Sequence, residues 1–448
     1  MSREDMITWT QRARRLLDAR TRFNESLSAI QDLVNFATEH VSELDATENV
    51  KFSIKPSDID GLSGENARAF ADATVELLQS LGTIAQSVPS EDEARFKDNI
   101  ERGGMPDEAR EAFLKYESAL PKEIDPGVIV RLLNFQKLSR ARTDLLFASL
   151  LTAAVGDFEV LFSEIVTFFY HLRPDALKAH DAQLTWSEID SYKSLEDLRV
   201  HFIDERVSQL MWKGFDDWMK WLDQQLKIKY SDIALDVLVA SEVFQRRHII
   251  VHNGGLVSPQ YMTKMSGRAD LPALGTRLRV DQQYLDSAIN QLTVLGFSIV
   301  DRVMRRLAVN AEQEKRIDTD ILDLTFDLLK AGRWTCVDKI ATNALPGIVG
   351  EYNRFAVRVN RWIALKRLKG IDSIRDEVAK WDISALENKF RLAQLVLLDD
   401  PSAIDMACVM TRDEEITQES IDTWPLFENI RDAINDILKP PDSMDEPA

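Results

Sequence analysis

Apolar residues along this chain recur at steps of three and four over long stretches, the spacing of helices that bury one face. Residues 5–46 read as one or two helices, with Leu27, Ile30, Leu33, Val34 and Phe36 at mixed i+3/i+4 spacing. The pattern stops at "KPSDIDGLSGEN" (55–66), resumes as a helix over 65–86, and gives way over 87–110 to a polar segment with one short helix between loops. "LPKEIDPG" (120–127) predicts a domain boundary. Long helical patterns follow. The segment 132–172 reads as two helices broken near Gly156, and 215–226 places Phe215, Trp218, Leu222 and Leu226 on one stripe, a core face. A helix is predicted over 232–252, a loop over 253–275 and a last helix over 281–308. Together these predict an up-and-down helical bundle. "NAEQEKRIDTD" (310–320) reads as a polar link to a C-terminal third of helix pairs. Hairpin signals are almost absent, so the predicted class is all-α. The expected organisation is an N-terminal helical region (1–125), a bundle (126–315), a helical-repeat region (318–438) and a disordered tail (439–448).

Composition supports an ordinary globular chain of 448 residues, 45% hydrophobic and 29% charged, long enough for two or three cores. The charged N-terminus lacks a signal-peptide core, and the longest apolar run (145–156) is too short to span a bilayer. A cytoplasmic protein without membrane partners is the expectation. Cys336 and Cys408 then read as buried free thiols. "DIDG" (58–61) lacks the remaining ligands of a calcium loop and reads as a turn. His40, His171, His180 and His201 show no metal-ligand spacing, so no metal or cofactor is expected. The net charge of −19 disfavours nucleic-acid binding by the whole surface. Charge is uneven, however: residues 240–310 hold nine Lys/Arg against five Asp/Glu, a basic island suited to a local anion.

The segment "EVFQRRHIIVHNGGLV" (242–257) lies in that island. Ile233, Val237, Ala240, Phe244 and Val251 outline an apolar seam with steps of four, three, four and seven, and Arg247 occupies the missing position. His248 and His252 fall within about 80° of Phe244 on a helical wheel. All three side chains are therefore expected to face the core or a partner. A guanidinium there is costly unless an anion meets it. Asn253-Gly254-Gly255 should end the helix through left-handed backbone positions, leaving His252 in the last turn, where the helix dipole favours its protonated form. An arginine that grips phosphate with two prongs, beside a histidine that moves a proton, suits phosphodiester cleavage. Arg-x4-His alone says little, because 34 arginines and six histidines give about half an occurrence by chance.

The longer pattern Arg247-His248-x3-His252 resembles the HEPN superfamily of helical-bundle proteins, whose motif is arginine, a polar residue, three residues and histidine. With "QLTWSEIDSYKSLEDLRVHFIDERVSQLMWKGFDDWMKWLDQQLKIKY" (183–230) it is similar to HEPN domains of bacterial defence and toxin proteins, over about 128–312. The resemblance implies a HEPN-like bundle acting as a metal-independent endoribonuclease. Two motifs would meet across a homodimer, and the 2′-hydroxyl of RNA would attack the adjacent phosphate to leave a 2′,3′-cyclic phosphate. Arg247 would bind the phosphate, His252 would serve as general acid or base, and His248 would orient it or share the proton. Arg246 and Asn253 would add substrate contacts. The implied role is a toxin or effector in anti-phage defence. Over 320–435, small or breaking residues at Gly332, Gly370 and Asp400-Pro401 resemble the turns of degenerate tetratricopeptide-type repeats, which would receive a protein trigger or antitoxin. The alternative is a non-catalytic dimeric scaffold or sensor that binds a protein or nucleotide.

Overall fold

The computed structural model describes residues 3–40, 142–179, 184–233, 235–383 and 386–439. The "DIDG" turn, the helix at 65–86, the segment at 87–110, the boundary at 120–127, His180 and the tail lie outside them. Among the described residues the protein is all-α, and the one β feature is an isolated bridge between Leu256 and Arg277. The chain divides into two compact units, residues 40–145 and the remainder, and nearly everything described belongs to the second. Its helices are α1 (Arg3–Glu39), α2 (Arg142–Leu172), α3 (Trp186–Asp190), α4 (Leu195–Met211), α5 (Phe215–Leu226), α6 (Val237–His252), α7 (Pro259–Lys264) and α8 (Gln282–Leu307). The C-terminal third adds α9 (Ala311–Lys330), α10 (Trp334–Ala344), α11 (Glu351–Lys369), α12 (Arg375–Ala379), α13 (Asn388–Leu397), α14 (Ser402–Arg412), α15 (Gln418–Thr423) and α16 (Arg431–Leu438).

Residues 3–39 form one helix that packs into the bundle core. Trp9, Ala13, Leu16, Phe23, Leu27 and Val34 are buried along α1 at helical spacing. Arg20 sits in the same stripe and is held by both carboxylate oxygens of Asp320. Leu33 and Phe36 are about half exposed, off the buried stripe where the sequence pattern placed them. α1 packs along α8. Phe23 meets Phe158 and Phe297 edge-on, and a Cβ added at Gly296 would stand 2.9 Å from its ring, so the glycine permits the close approach.

α2 runs unbroken through Gly156, against expectation. Ala154, Val155 and Phe158 around it are buried, and their packing outweighs the modest helical cost of one glycine. This is the one helix among the described residues long and apolar enough to cross a membrane, and half of its most apolar window is buried inside the protein. The stripe on α5 is core as expected, with Phe215, Trp218, Leu222 and Leu226 all buried.

α9 begins inside the stretch read as a polar link. Asn310 caps it by accepting from the Gln313 N–H, and the Gln313 side chain accepts in return from the Val309 N–H. That reciprocal cap offsets the polarity of the sequence. Beyond it, helix pairs turn where the small residues stand: Gly332 (φ 69°) between α9 and α10, and Gly370 (φ 81°) after α11. In the third pair the left-handed residue is Asp399 (φ 57°), one before the expected pair, while Asp400 accepts from the Ser402 N–H to start α14. α10 packs on α8, so the pairs continue directly from the bundle. Cys336 and Cys408 are both buried and unpaired.

Candidate active site

The motif helix α6 starts at Asp236, whose carboxylate accepts from the backbone N–H groups of Leu238 and Val239. It therefore begins five residues later than predicted. Its buried face is Ala240, Val243, Phe244 and Ile249, with Glu242 and Gln245. Val237 and Val251 are exposed, and Ile233 is buried but precedes the helix. The seam is thus rotated from the predicted one, and it leaves Arg247 and His248 at the edge of the core instead of in it.

At its C-terminal end, Asn253 and Gly255 both donate backbone N–H to the Ile249 carbonyl at 2.8 Å. Gly254 (φ 60°) and Gly255 (φ 84°) take the left-handed positions expected of them. The loop predicted after them contains α7, capped by Ser258 and anchored by a small core of Ile249, Val257, Tyr261 and Met265. Backbone bonds from Val257 to Thr276 and from Leu278 to Gly255 tie this segment back to the exit of α6.

These elements enclose a cleft of about 640 Å³ lined by Arg247, His248 and His252 from α6. Its floor includes Phe244 and Phe215, whose rings stack at 3.8 Å, together with Trp218. Lys213 and Lys264 bring two more cations, and Gln260 a neutral polar group. Trp212 stands on the wall and is 88% exposed. Arg247 is half-buried. One terminal nitrogen lies 3.4 Å from Glu159, a long contact, and its Nε is buried without an acceptor. Burial pushes the Glu159 carboxyl up, and Arg247 pulls it back only in part. The imidazoles of His248 and His252 lie 4.8 Å apart between centroids. His252 is exposed, so of the two expected settings, a core or a partner, the first does not hold. His248 is held below the ordinary imidazole range, first by burial and then by the neighbouring charges of His252, Lys264 and Arg247. The neutral form of His248 is therefore the resident one at neutral pH. Replacing Lys264 with Ala should raise the His248 titration midpoint, because a repelling cation leaves. Histidine ring NMR checks this, and an unchanged or lower midpoint would contradict the assigned cause.

The other two candidate residues lie elsewhere. Arg246 donates to Glu242 at 2.6 Å and to the Arg279 carbonyl at 2.8 Å, and its guanidinium stacks 3.8 Å over the Tyr284 ring. Glu242 is fully buried and also accepts from the hydroxyls of Tyr261 and Tyr284. Arg246 is thereby spent inside a structural network and does not line the cleft. Asn253 is exposed at the helix cap and does not line it either. Sequence reading missed Glu159, Trp212, Lys213, Gln260 and Lys264. Glu159 is 88 residues from Arg247 and has no local signal. The i,i+4 spacing of Glu242 and Arg246, in contrast, could have marked that pair as structural.

In comparisons with protein-family models, with curated proteins and with solved structures, nothing matches this chain.

Proposed function

We propose that the cleft binds and cleaves RNA without a metal ion, by attack of the 2′-hydroxyl on its own 3′-phosphate. The observation that carries this reading is the meeting of Arg247, His248 and His252 on one cleft wall, with an unsatisfied buried guanidinium nitrogen on Arg247. An RNA phosphate supplies the acceptor that the long contact with Glu159 does not. In the step itself the 2′-oxygen bonds to phosphorus and the P–O5′ bond breaks. The 2′-hydroxyl proton leaves to a base, and O5′ gains one from an acid. His252 at the open end of α6 moves a proton, and His248 beside it shares that work. Arg247 neutralises the charge that grows on the phosphoryl oxygens. The lining offers one carboxylate, Glu159, already facing Arg247, a poor donor set for a hard cation such as magnesium.

Single-stranded oligoribonucleotide in EDTA is the direct test. Products should end in a 2′,3′-cyclic phosphate by mass, and an oligomer carrying a 2′-deoxy sugar at the cut site should survive. Cleavage that requires added magnesium, or leaves a free 3′-hydroxyl, would overturn the proposal. The resemblance adds a homodimeric assembly and a cytoplasmic defence role, checked by light scattering of the full chain and by growth on expression. The bundle excised at 126–315 is unsuitable for this, because it lacks α1 from its core.

Trp212 fits as a platform for an unpaired base beside the phosphate site. Stacking of one base on an aromatic ring is worth about 1–3 kcal/mol. Trp212→Ala should therefore raise KM for single-stranded RNA by roughly 5- to 150-fold with little change in kcat, while Trp212→Tyr retains most binding. Steady-state kinetics on the two variants decide it; equal losses in both would remove the stacking role.

A further inference from the structure

A second, separate cleft of about 320 Å³ opens where the bundle meets the helix pairs. Its walls come from Lys227 at the C-cap of α5, the last turns of α8, Glu314 of α9, and the turn that follows α10. Four cations line it: Lys227, Arg302, Arg305 and Arg306. The nearby carboxylates match only one of them. Asp301 and the fully buried Asp318 are both spent on Arg305, at 2.9 and 2.8 Å, and Glu314 lines the cleft without an ion pair to any of the four among the described residues. Arg305 also donates to the Gly347 carbonyl at 2.7 Å, and a Cβ at Gly347 would lie 2.9 Å from its side chain, so the backbone closes directly over it.

Even so, Arg305 keeps a buried terminal nitrogen (Nη2) with no acceptor, and Arg302 keeps a buried Nε with none. Arg302 donates from a terminal nitrogen to the Asp232 carbonyl over a long 3.4 Å. Lys227 and Arg306 have no carboxylate within ion-pair distance among the described residues. Buried guanidinium nitrogens left without an acceptor occur on three arginines there: Arg247 in the first cleft, and Arg302 and Arg305 in this one. Elsewhere Arg20 and Arg246 are matched to carboxylates. Buried polar hydrogens are normally satisfied, so two exceptions on residues that line the same cation-rich cleft point to a missing anion.

We propose that this cleft is an anion-binding site for a small phosphate-bearing molecule. Arg302 and Arg305 would donate their free N–H groups to the phosphate, and Lys227 and Arg306 would balance its second charge. The cleft is larger than a single phosphate, and Ile228, Ala344 and Pro346 give it an apolar wall for an uncharged moiety. A bound ligand would bridge α5, whose other end floors the first cleft, to the turn that opens the helix pairs. The proposal does not depend on RNA cleavage.

The full chain is titrated with inorganic phosphate, pyrophosphate, ADP and adenosine at fixed ionic strength, by calorimetry and by thermal melting. ADP or pyrophosphate at millimolar concentration should raise Tm by about 2–4 °C, as expected for a ligand present well above its Kd. Inorganic phosphate binding as tightly as ADP would assign the site to the free anion, and ADP binding at least about tenfold tighter would assign it to a nucleotide. Arg306→Glu and Lys227→Glu, both exposed and outside the core, should abolish the shift and leave the unliganded melt unchanged. Arg247→Ala should keep it, which separates this cleft from the first. No binding by any phosphate probe, adenosine binding as well as ADP, or a shift that survives both charge reversals would overturn the proposal.

Discussion

Arg247→Ala and His252→Ala proteins should fold as the parent does and lose RNA cleavage. Loss of one preorganised donor to a developing oxyanion costs about 10²–10³ in rate, and loss of a general acid or base costs about 10²–10⁴. Stability should move little. Arg247 has a single long contact to a half-exposed partner, so its removal should change unfolding free energy by no more than about 1 kcal/mol. His252 is exposed at a helix end, a setting in which substitutions shift stability by about 0.5 kcal/mol or less. Arg247→Lys should fail as well, because a point charge does not reproduce a two-pronged grip on phosphate. His248→Ala should weaken activity less than either. Initial rates on labelled RNA, with circular dichroism melts of each protein, give the answer. Variants that melt normally and cut normally would remove these residues from the chemistry, and growth toxicity should disappear in parallel with cleavage.

The neighbouring position should behave in the opposite way. Arg246→Ala and Glu242→Ala should each cost about 3–5 kcal/mol, the usual penalty for removing one partner of a buried ion pair. Glu242 is fully buried, accepts from Arg246 and two tyrosine hydroxyls, and lies 3.7 Å from Arg268. Burial, followed by the adjacent Glu242 carboxylate, pushes the phenols of Tyr261 and Tyr284 up, so both stay protonated and donate. Taking out the carboxylate strands two hydroxyls and the Arg246 guanidinium together, while Arg268 keeps Asp270. A lower urea midpoint at unchanged slope is the expected signature. A midpoint within experimental scatter of the parent would show that the network contributes little. Two adjacent arginines thus separate by assay: one is read in the melt, the other in the rate.

How much of this was legible beforehand varies by element. The helices with long periodic stripes were, because alternating steps of three and four report burial on one face wherever the partner lies. The stripe on α5 and the turns at Gly332 and Gly370 are of this kind. Gly156 misled because its cost to a helix is local and small, while the packing of Phe158 and its neighbours is neither. The polar start of α9 misled for a related reason: its cap is a pair of side-chain bonds that composition does not display.

The sequence by itself determined the helical class, the end of α6 at Asn-Gly-Gly, and the grouping of Arg247, His248 and His252 on neighbouring turns, since all of these follow from local spacing. Only the tertiary structure decided what those side chains meet. It set Glu159 opposite Arg247, drew Arg246 away into the Glu242 network, and brought Lys213 and Lys264 to the cleft from other elements. It also gathered Lys227 with the last turn of α8, at positions more than seventy residues apart. The physical reason is that a charged side chain carries the same symbol whether it is solvated, paired or left waiting for an anion. Which of these it is depends on groups that the chain brings near only when its helices pack.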